Sequence, residues 1–336
     1  MKALFIVKRN NGYGASCAGY SKEVMSGLWN SARFVVSNLN HYGLHTKVVD
    51  VVDNNDIDRE VTRYKPNIVF IEALWVVPEK VKILMVLHPK VKWVVRIHSN
   101  TPFLANEGNA VAWIKAYSEL GVVIAPNAEH MQEDLDVILG GRGITPLLPN
   151  CYKFPPRPLK CGEWDWDGVL RIGCFGSLRP MKNQLIQAVA AIDAANRLGY
   201  PMEFHINASR HEQNGCNVLK NIRALYKDSG YTLVEHQWLP RVDFLEVLAK
   251  MNLSMQVSFS ETFNIVTADS VSQLIPVIVS SEIDWVPFAK VVPTTDAKGI
   301  AQGIVDASFN QAVEGNWRSL YQYNQAAVNA WLDYLL

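Results

Sequence analysis

The chain has 336 residues, 49% of them apolar and 19% charged, with 32 basic side chains against 32 acidic ones. That length suits two domains of about 150 residues each, and the apolar share excludes a disordered chain. Zero net charge excludes a histone-like or polybasic membrane binder, although a local cationic cleft stays open.

Residues 3–7 form an apolar run of five, the size of a strand and shorter than a signal h-region or a membrane span. A Gly/Asn/Ser loop over 10–19 follows, then a helical stretch over 20–42 that Gly43 is placed to stop. Residues 46–52, 68–71, 93–97 and 122–125 read as short buried strands separated by helical or loop segments. Apolar runs alternating with helices point to a parallel sheet covered on both faces, a Rossmann-like unit.

The pattern breaks near Pro149-Asn150, and 151–168 carries no periodicity, so it reads as a connection. A second series places strands at 170–175, 203–206, 232–236, 253–257 and 276–279. Its helices fall near 183–198, 217–228, 242–251 and 266–273. The last twenty residues, with Trp317, Leu320, Trp331 and Leu335, read as an amphipathic helix. The expected division is 1–150, a connection over 151–168, and 169–315, with 316–336 crossing back to the first domain. Cys17, Cys151, Cys161, Cys174 and Cys216 are odd in number and include no C-x-x-C pair, which favours reduced thiols and a cytoplasmic protein over a disulfide frame or a zinc site.

The chemistry concentrates in Ser258-Phe259-Ser260-Glu261-Thr262-Phe263-Asn264-Ile265-Val266-Thr267-Ala268-Asp269. A strand ends before it, and a polar loop leads into a helix whose N-terminal amides form an anion pocket. Glu261 and Asp269 bracket the pocket. A carboxylate there repels phosphate, so its natural partners are hydroxyls such as a vicinal sugar diol.

This stretch resembles the E-x7-E signature of retaining, GT-B-fold glycosyltransferases of the large family 4 type, with Asp269 in place of the second glutamate. The resemblance implies two Rossmann-like domains facing across an interdomain cleft. It places Glu261 by the donor sugar, Asp269 on the nucleotide ribose, and Thr262, Phe263, Asn264 and Ile265 along the donor. Gly176-Ser177-Leu178-Arg179-Pro180-Met181-Lys182 is similar to the family's diphosphate loop, with Lys182 at the lysine, Ser177 in the arginine slot and Arg179 as its substitute. Trp238 falls where relatives hold the base. Pro126-Asn127 and Pro149-Asn150 resemble the end of the family's N-terminal domain. Gly14 and Ser16 lie in the equivalent of the glycine-rich first loop, His98 at the sugar-contacting histidine, and Glu72 and Asn100 on the acceptor rim.

The implied activity is transfer of a hexose from a nucleotide diphosphate donor, UDP-sugar first, to a hydroxyl acceptor with retention, without cofactor or metal. The compact length is similar to phage-encoded members, for which hydroxymethylated bases of DNA are one acceptor class. An epimerase or a non-catalytic nucleotide-sugar binder would keep the same fold. Gly12-x-Gly14 is a partial dinucleotide fingerprint, but Cys17 occupies its third glycine position. Asp165-Trp166-Asp167 reads as a solvated turn rather than a metal motif.

Overall fold

The computed structural model describes residues 1–9, 27–141, 145–156, 167–307 and 313–336. They divide into two compact units, the first taking the described residues up to Lys153 together with Tyr323–Leu336, the second running from Phe154 to Gln322. Each unit is built on its own wholly parallel sheet.

The first unit comprises β1 (Lys2–Lys8), α1 (Gly27–His41), β2 (His45–Val51), α2 (Asp56–Tyr64), β3 (Ile68–Glu72), α3 (Pro78–Leu87), β4 (Lys92–Ile97), the short α4 (Thr101–Leu104), α5 (Ala110–Glu119), β5 (Val123–Pro126) and α6 (Glu129–Leu139). Its strand order is β2-β1-β3-β4-β5. Successive strand side chains point to opposite faces, so β1 feeds two cores. Leu4 and Ile6 pack with residues of α2, α3, α5 and α6. Ala3 and Phe5 pack with α1 and with Ala327, Val328 and Trp331 near the C-terminus. The whole run is therefore apolar, as both-face burial requires. Gly43 ends α1 at φ +81°, a left-handed conformation that glycine adopts without a Cβ penalty.

The second unit comprises β6 (Leu170–Gly173), a 3₁₀ turn at Pro180–Lys182, α7 (Gln184–Leu198), β7 (Met202–Asn207), α8 (Gly215–Lys227), β8 (Thr232–His236), α9 (Arg241–Leu248), β9 (Leu253–Gln256), α10 (Ile265–Ser272), β10 (Val277–Val279), β11 (Lys290–Val291), α11 (Ala297–Ala307) and α12 (Val313–Leu335), whose last turns belong to the first unit. Its strand order is β11-β10-β9-β6-β7-β8. The chain thus winds outward from β6 through β7 to β8, then returns to lay β9 on the other side of β6. Ligands in open α/β sheets bind at such a reversal, beyond the carboxyl ends of the strands. The two loops at this reversal are those that follow β6 and β9.

Every strand expected from the sequence is present. β11 is not among the expected ones, because two residues against Ile278 and Val279 are too few for a periodic signal. The first part of the expected 20–42 helix lies outside the described residues. The unit boundaries also differ by a few positions. Cys151 and Tyr152 are buried with the first unit, where Tyr152 N–H donates to Asn324 Oδ1 at 2.7 Å and its ring meets Phe34 edge-on at 5.6 Å. No helix among the described residues is long and apolar enough to cross a membrane.

Candidate functional site

In the second unit the loops after β6 and β9 are joined by a backbone hydrogen bond, Phe259 N–H to Met181 C=O at 3.0 Å. Across this junction Lys182 Nζ donates to Glu261 Oε1. The side chains are 14% and 7% exposed, so this is a desolvated ion pair. Burial pushes the Lys182 ammonium down from its ordinary value, opposed by Glu261 and reinforced by Arg179. Burial alone would raise Glu261, but the charges of Lys182 and Arg179 and hydrogen bonds outweigh it and hold the carboxyl below its usual range. Glu261 is therefore an ionised carboxylate at neutral pH, held between cations.

Buried amides hold the two loops in place. Gln187 accepts from Val257 N–H at 3.0 Å and donates to Lys182 C=O at 2.9 Å. Asn183, left-handed at φ +60°, donates to Val257 C=O and Thr294 C=O. Asn264 has φ +58°, a left-handed conformation that glycine would adopt freely. Asparagine tolerates that region through local side-chain hydrogen bonds. Here Asn264 Oδ1 caps α10 by accepting from Thr267 N–H at 2.9 Å, while its Nδ2 donates to Gln256 Oε1 at 3.0 Å. Gly176, at φ +117°, donates its N–H to Asn207 Oδ1 at 2.8 Å.

A second anionic centre lies at Glu212. It accepts from Arg210 at 2.6 Å, Arg179 at 3.0 Å and Ser177 Oγ at 3.1 Å. The Arg210 guanidinium also sits 4.6 Å from the centroid of Trp238, a cation–π distance. Asp269 pairs with Arg241, whose Nε and Nη2 reach its Oδ1 at 3.2 and 2.9 Å. Phe263 is buried against Trp285, with ring centroids 5.3 Å apart, and its C=O accepts from Trp285 Nε1 at 2.7 Å. Thr262 in the same loop and Ile265 at the start of α10 are half-buried.

The first unit has its own buried polar cluster at the carboxyl ends of β3 and β4. Arg96 is 0% exposed and donates to Glu72 Oε2 at 3.1 Å, Asn150 Oδ1 at 2.6 Å and Leu148 C=O at 3.0 Å. His98 Nε2 lies 2.5 Å from the same Glu72 oxygen. Burial would raise the Glu72 carboxyl, but Arg96 and His98 hold it below its ordinary value; burial and Arg96 together push His98 down against the pull of Glu72. An ionised carboxylate only accepts, so the neutral imidazole carries its proton on Nε2. Its Nδ1 then accepts from Asn127 Nδ2, 3.4 Å away.

The placements expected from the sequence come out as follows. Lys182, Glu261, Arg179 and Ser177 are brought together in the second unit, with Thr262, Phe263, Asn264 and Trp238 on the adjoining loops and Ile265 and Asp269 in α10. Glu72, expected on an acceptor rim, is instead fully buried: it is still paired with Arg96 in the sheet, and its charge is answered inside the unit. Asn100, expected beside it, is 2% exposed and begins α4, its C=O accepting from Phe103 N–H. Gly14 and Ser16 lie outside the described residues. Asp167 forms a two-pronged pair with Arg171, while Asp165 and Trp166 lie outside. Arg210, Glu212, Arg241 and Arg96 were not anticipated. Their sequence signal is charge alone: Arg210 and Glu212 stand in a post-strand loop, Arg241 opens a helix, and Arg96 is a basic residue inside the otherwise apolar run 93–97. Among the described residues no group of three or more His, Cys, Asp or Glu side chains is placed to hold a metal ion.

No protein-family model matches the chain, and no curated protein does. Solved structures do. The N-terminal domain of Candida albicans trehalose-6-phosphate phosphatase superposes with a TM-score of 0.69 over 98% of this chain and 93% of its own, at 12% identity. A trehalose-6-phosphate protein from E. coli, bound with UDP-2-fluoro glucose, gives 0.65 over 98% and 96% at 10% identity. A UDP-forming α,α-trehalose-phosphate synthase from Burkholderia xenovorans gives 0.62 over 82% and 73% at 13% identity. At such identities the likeness speaks for the fold. The chain has the α/β architecture of two parallel-sheet, Rossmann-like units known as the GT-B glycosyltransferase fold.

Proposed function

We propose that the protein is a glycosyltransferase that moves a hexose from a nucleoside diphosphate sugar to a hydroxyl acceptor with retention at the anomeric carbon. The observation that carries this reading is the buried Lys182–Glu261 pair, with Arg179 beside it, at the point where the second sheet reverses its strand order. A UDP-sugar is the first donor to test, because the neighbours include a UDP-forming synthase and a protein bound with UDP-2-fluoro glucose.

In this reading the anomeric C–O bond breaks toward the nucleotide, leaving a diphosphate whose new charge is met by Lys182, Arg179 and the amides before α10. Removing one such preorganised donor costs about 3–4 kcal/mol in the barrier. Glu261 takes hydrogen bonds from sugar hydroxyls. Trp238 lies under the base, and Asn264 holds the turn that aims the loop amides. The acceptor oxygen bonds to the anomeric carbon, and its proton passes to the departing phosphate, so no protein base is required. His98 is fixed by Glu72 and Asn127 as a neutral imidazole, so in this reading it is not a proton carrier. Gly14 and Ser16 are proposed to lie along the donor and the acceptor.

Calorimetric titration with UDP, GDP, ADP, dTDP and NAD tests the reading, with Lys182→Ala alongside. The expected result is binding of one diphosphate that the variant loses, followed by transfer from the matching nucleotide sugar to an added alcohol. Binding of NAD alone, indifferent to Lys182→Ala, overturns it in favour of a dehydrogenase. Donor binding without transfer or hydrolysis leaves a nucleotide-sugar binder.

A further inference from the structure

The second acid of the E-x7-E pattern is expected to hold the ribose of the nucleotide. In this chain that acid is one methylene shorter and already engaged. Asp269 Oδ1 accepts both Nε and Nη2 of Arg241, and the carboxylate is 6% exposed against 20% for the guanidinium. Arg241 opens α9, directly after Trp238-Leu239-Pro240, the segment proposed to carry the base. The cation is thus the more accessible partner of the pair, on the stretch that meets the nucleoside.

The exchange reverses the polarity of recognition. A carboxylate holds a diol by accepting its two O–H groups, whereas a guanidinium has no acceptor and donates to hydroxyl oxygens from a rigid planar fork. Resting on the donor site proposed above, we infer that Arg241 is the specificity-determining residue that reads the ribose of the nucleotide, with Asp269 as the positioning residue that sets the plane of its fork. The ribose position of this chain therefore presents a guanidinium, backed by Asp269, where the sequence pattern anticipates an acid. Lysine cannot replace Arg241, because a point charge on a flexible stem does not reproduce the fork.

The test compares UDP with 2′-deoxy-UDP, or the corresponding GDP or ADP pair if that base binds tighter, by calorimetry on the full chain. Wild type is expected to favour the ribonucleotide about tenfold or more, the range of a hydrogen bond to a charged group. Arg241→Gln, which can still donate to Asp269, and Arg241→Lys are both expected to bring that ratio close to one. Asp269→Asn is expected to reduce it only in part. Because the ratio is taken within each variant, a general loss of affinity cancels, and melting curves check folding. A merely structural Arg241 would weaken both nucleotides equally and leave the ratio intact, which overturns the inference. Loss of the ratio in Asp269→Asn with its retention in Arg241→Gln also overturns it, because the acid would then read the ribose directly. A wild type that binds nucleotide without discriminating ribose from deoxyribose overturns the inference alone, whereas a wild type that binds no nucleoside diphosphate overturns the donor-site reading as well.

Discussion

Lys182 and Glu261 stand 79 positions apart in the chain and form one buried ion pair. They meet because β9 returns to the flank of β6, with Ile172 opposite Leu253 and Gly173 opposite Ser254, so the loops leaving both strands rise side by side. A desolvated pair of this kind adds little net stability, but removing one partner strands the other charge in a low-dielectric site.

Lys182→Ala should therefore destabilise the protein by about 3–5 kcal/mol as well as abolish nucleotide binding. The double variant Lys182→Met/Glu261→Leu should recover most of the stability and none of the binding. Urea unfolding read against calorimetric titration separates the two effects. If the double variant is no more stable than Lys182→Ala, the pair is not the source of the loss.

The Glu72–His98 contact makes a spectroscopic prediction. Nitrogen NMR of the imidazole should show His98 neutral at pH 7 with its proton on Nε2. Glu72→Gln should disturb that tautomer and, by leaving Arg96 buried without its counter-charge, lower stability by about 3 kcal/mol or more. A protonated imidazole, or a proton on Nδ1 in the wild type, would contradict the assignment.

Acid sensitivity follows from a pair of histidines in the second unit. His205 Nδ1 lies 2.9 Å from His236 Nε2, and its Nε2 lies 3.2 Å from Glu203 Oε2. Glu203 accepts from His205 Nε2–H, so His205 Nδ1 accepts from His236. Protonating His205 breaks that arrangement. Burial is the main cause that lowers His205 to about 4, against the pull of Glu203, and burial also lowers His236. A folded-state value below the unfolded 6.5 means the unfolded chain binds the extra proton first. This contribution is complete above about pH 6.5 and is lost as the pH falls toward 4. Melting temperature should decline across that window, and His205→Asn should flatten part of the decline; an unchanged slope in the variant would rule the pair out as its source.

Trp331 ties the C-terminal helix to the first unit. Its ring is fully buried against Phe5 and Phe70, at 5.5 and 5.1 Å, and lies 5.1 Å from the Arg96 guanidinium, while Nε1 donates to Pro149 C=O at 2.8 Å. Trp331→Ala should cost about 3–5 kcal/mol through the cavity left behind, seen as a shifted denaturation midpoint. Nucleotide affinity measured well below the melting temperature should be unchanged, since the donor residues belong to the other unit.

Much of this protein was legible in its sequence because the signals are local. The run Ala3-Leu4-Phe5-Ile6-Val7 has the length and apolar continuity of a strand buried on both faces, Gly43 marks the end of α1, and Glu261 and Lys182 fall in two short stretches whose patterns can be read without an alignment. Composition and periodicity also separated the two sheets. The pairing of charges was decided by the tertiary structure alone. Nothing local says that Glu72 turns inward to Arg96 and His98, that Glu212 gathers Arg179, Arg210 and Ser177, or that Asp269 is answered by Arg241, 28 positions upstream. A buried charge takes whichever partner the strand order brings within about 3 Å, since leaving it unpaired costs several kcal/mol. That order, with β9 returning beside β6, is set by long-range packing of whole faces rather than by any residue's own neighbours.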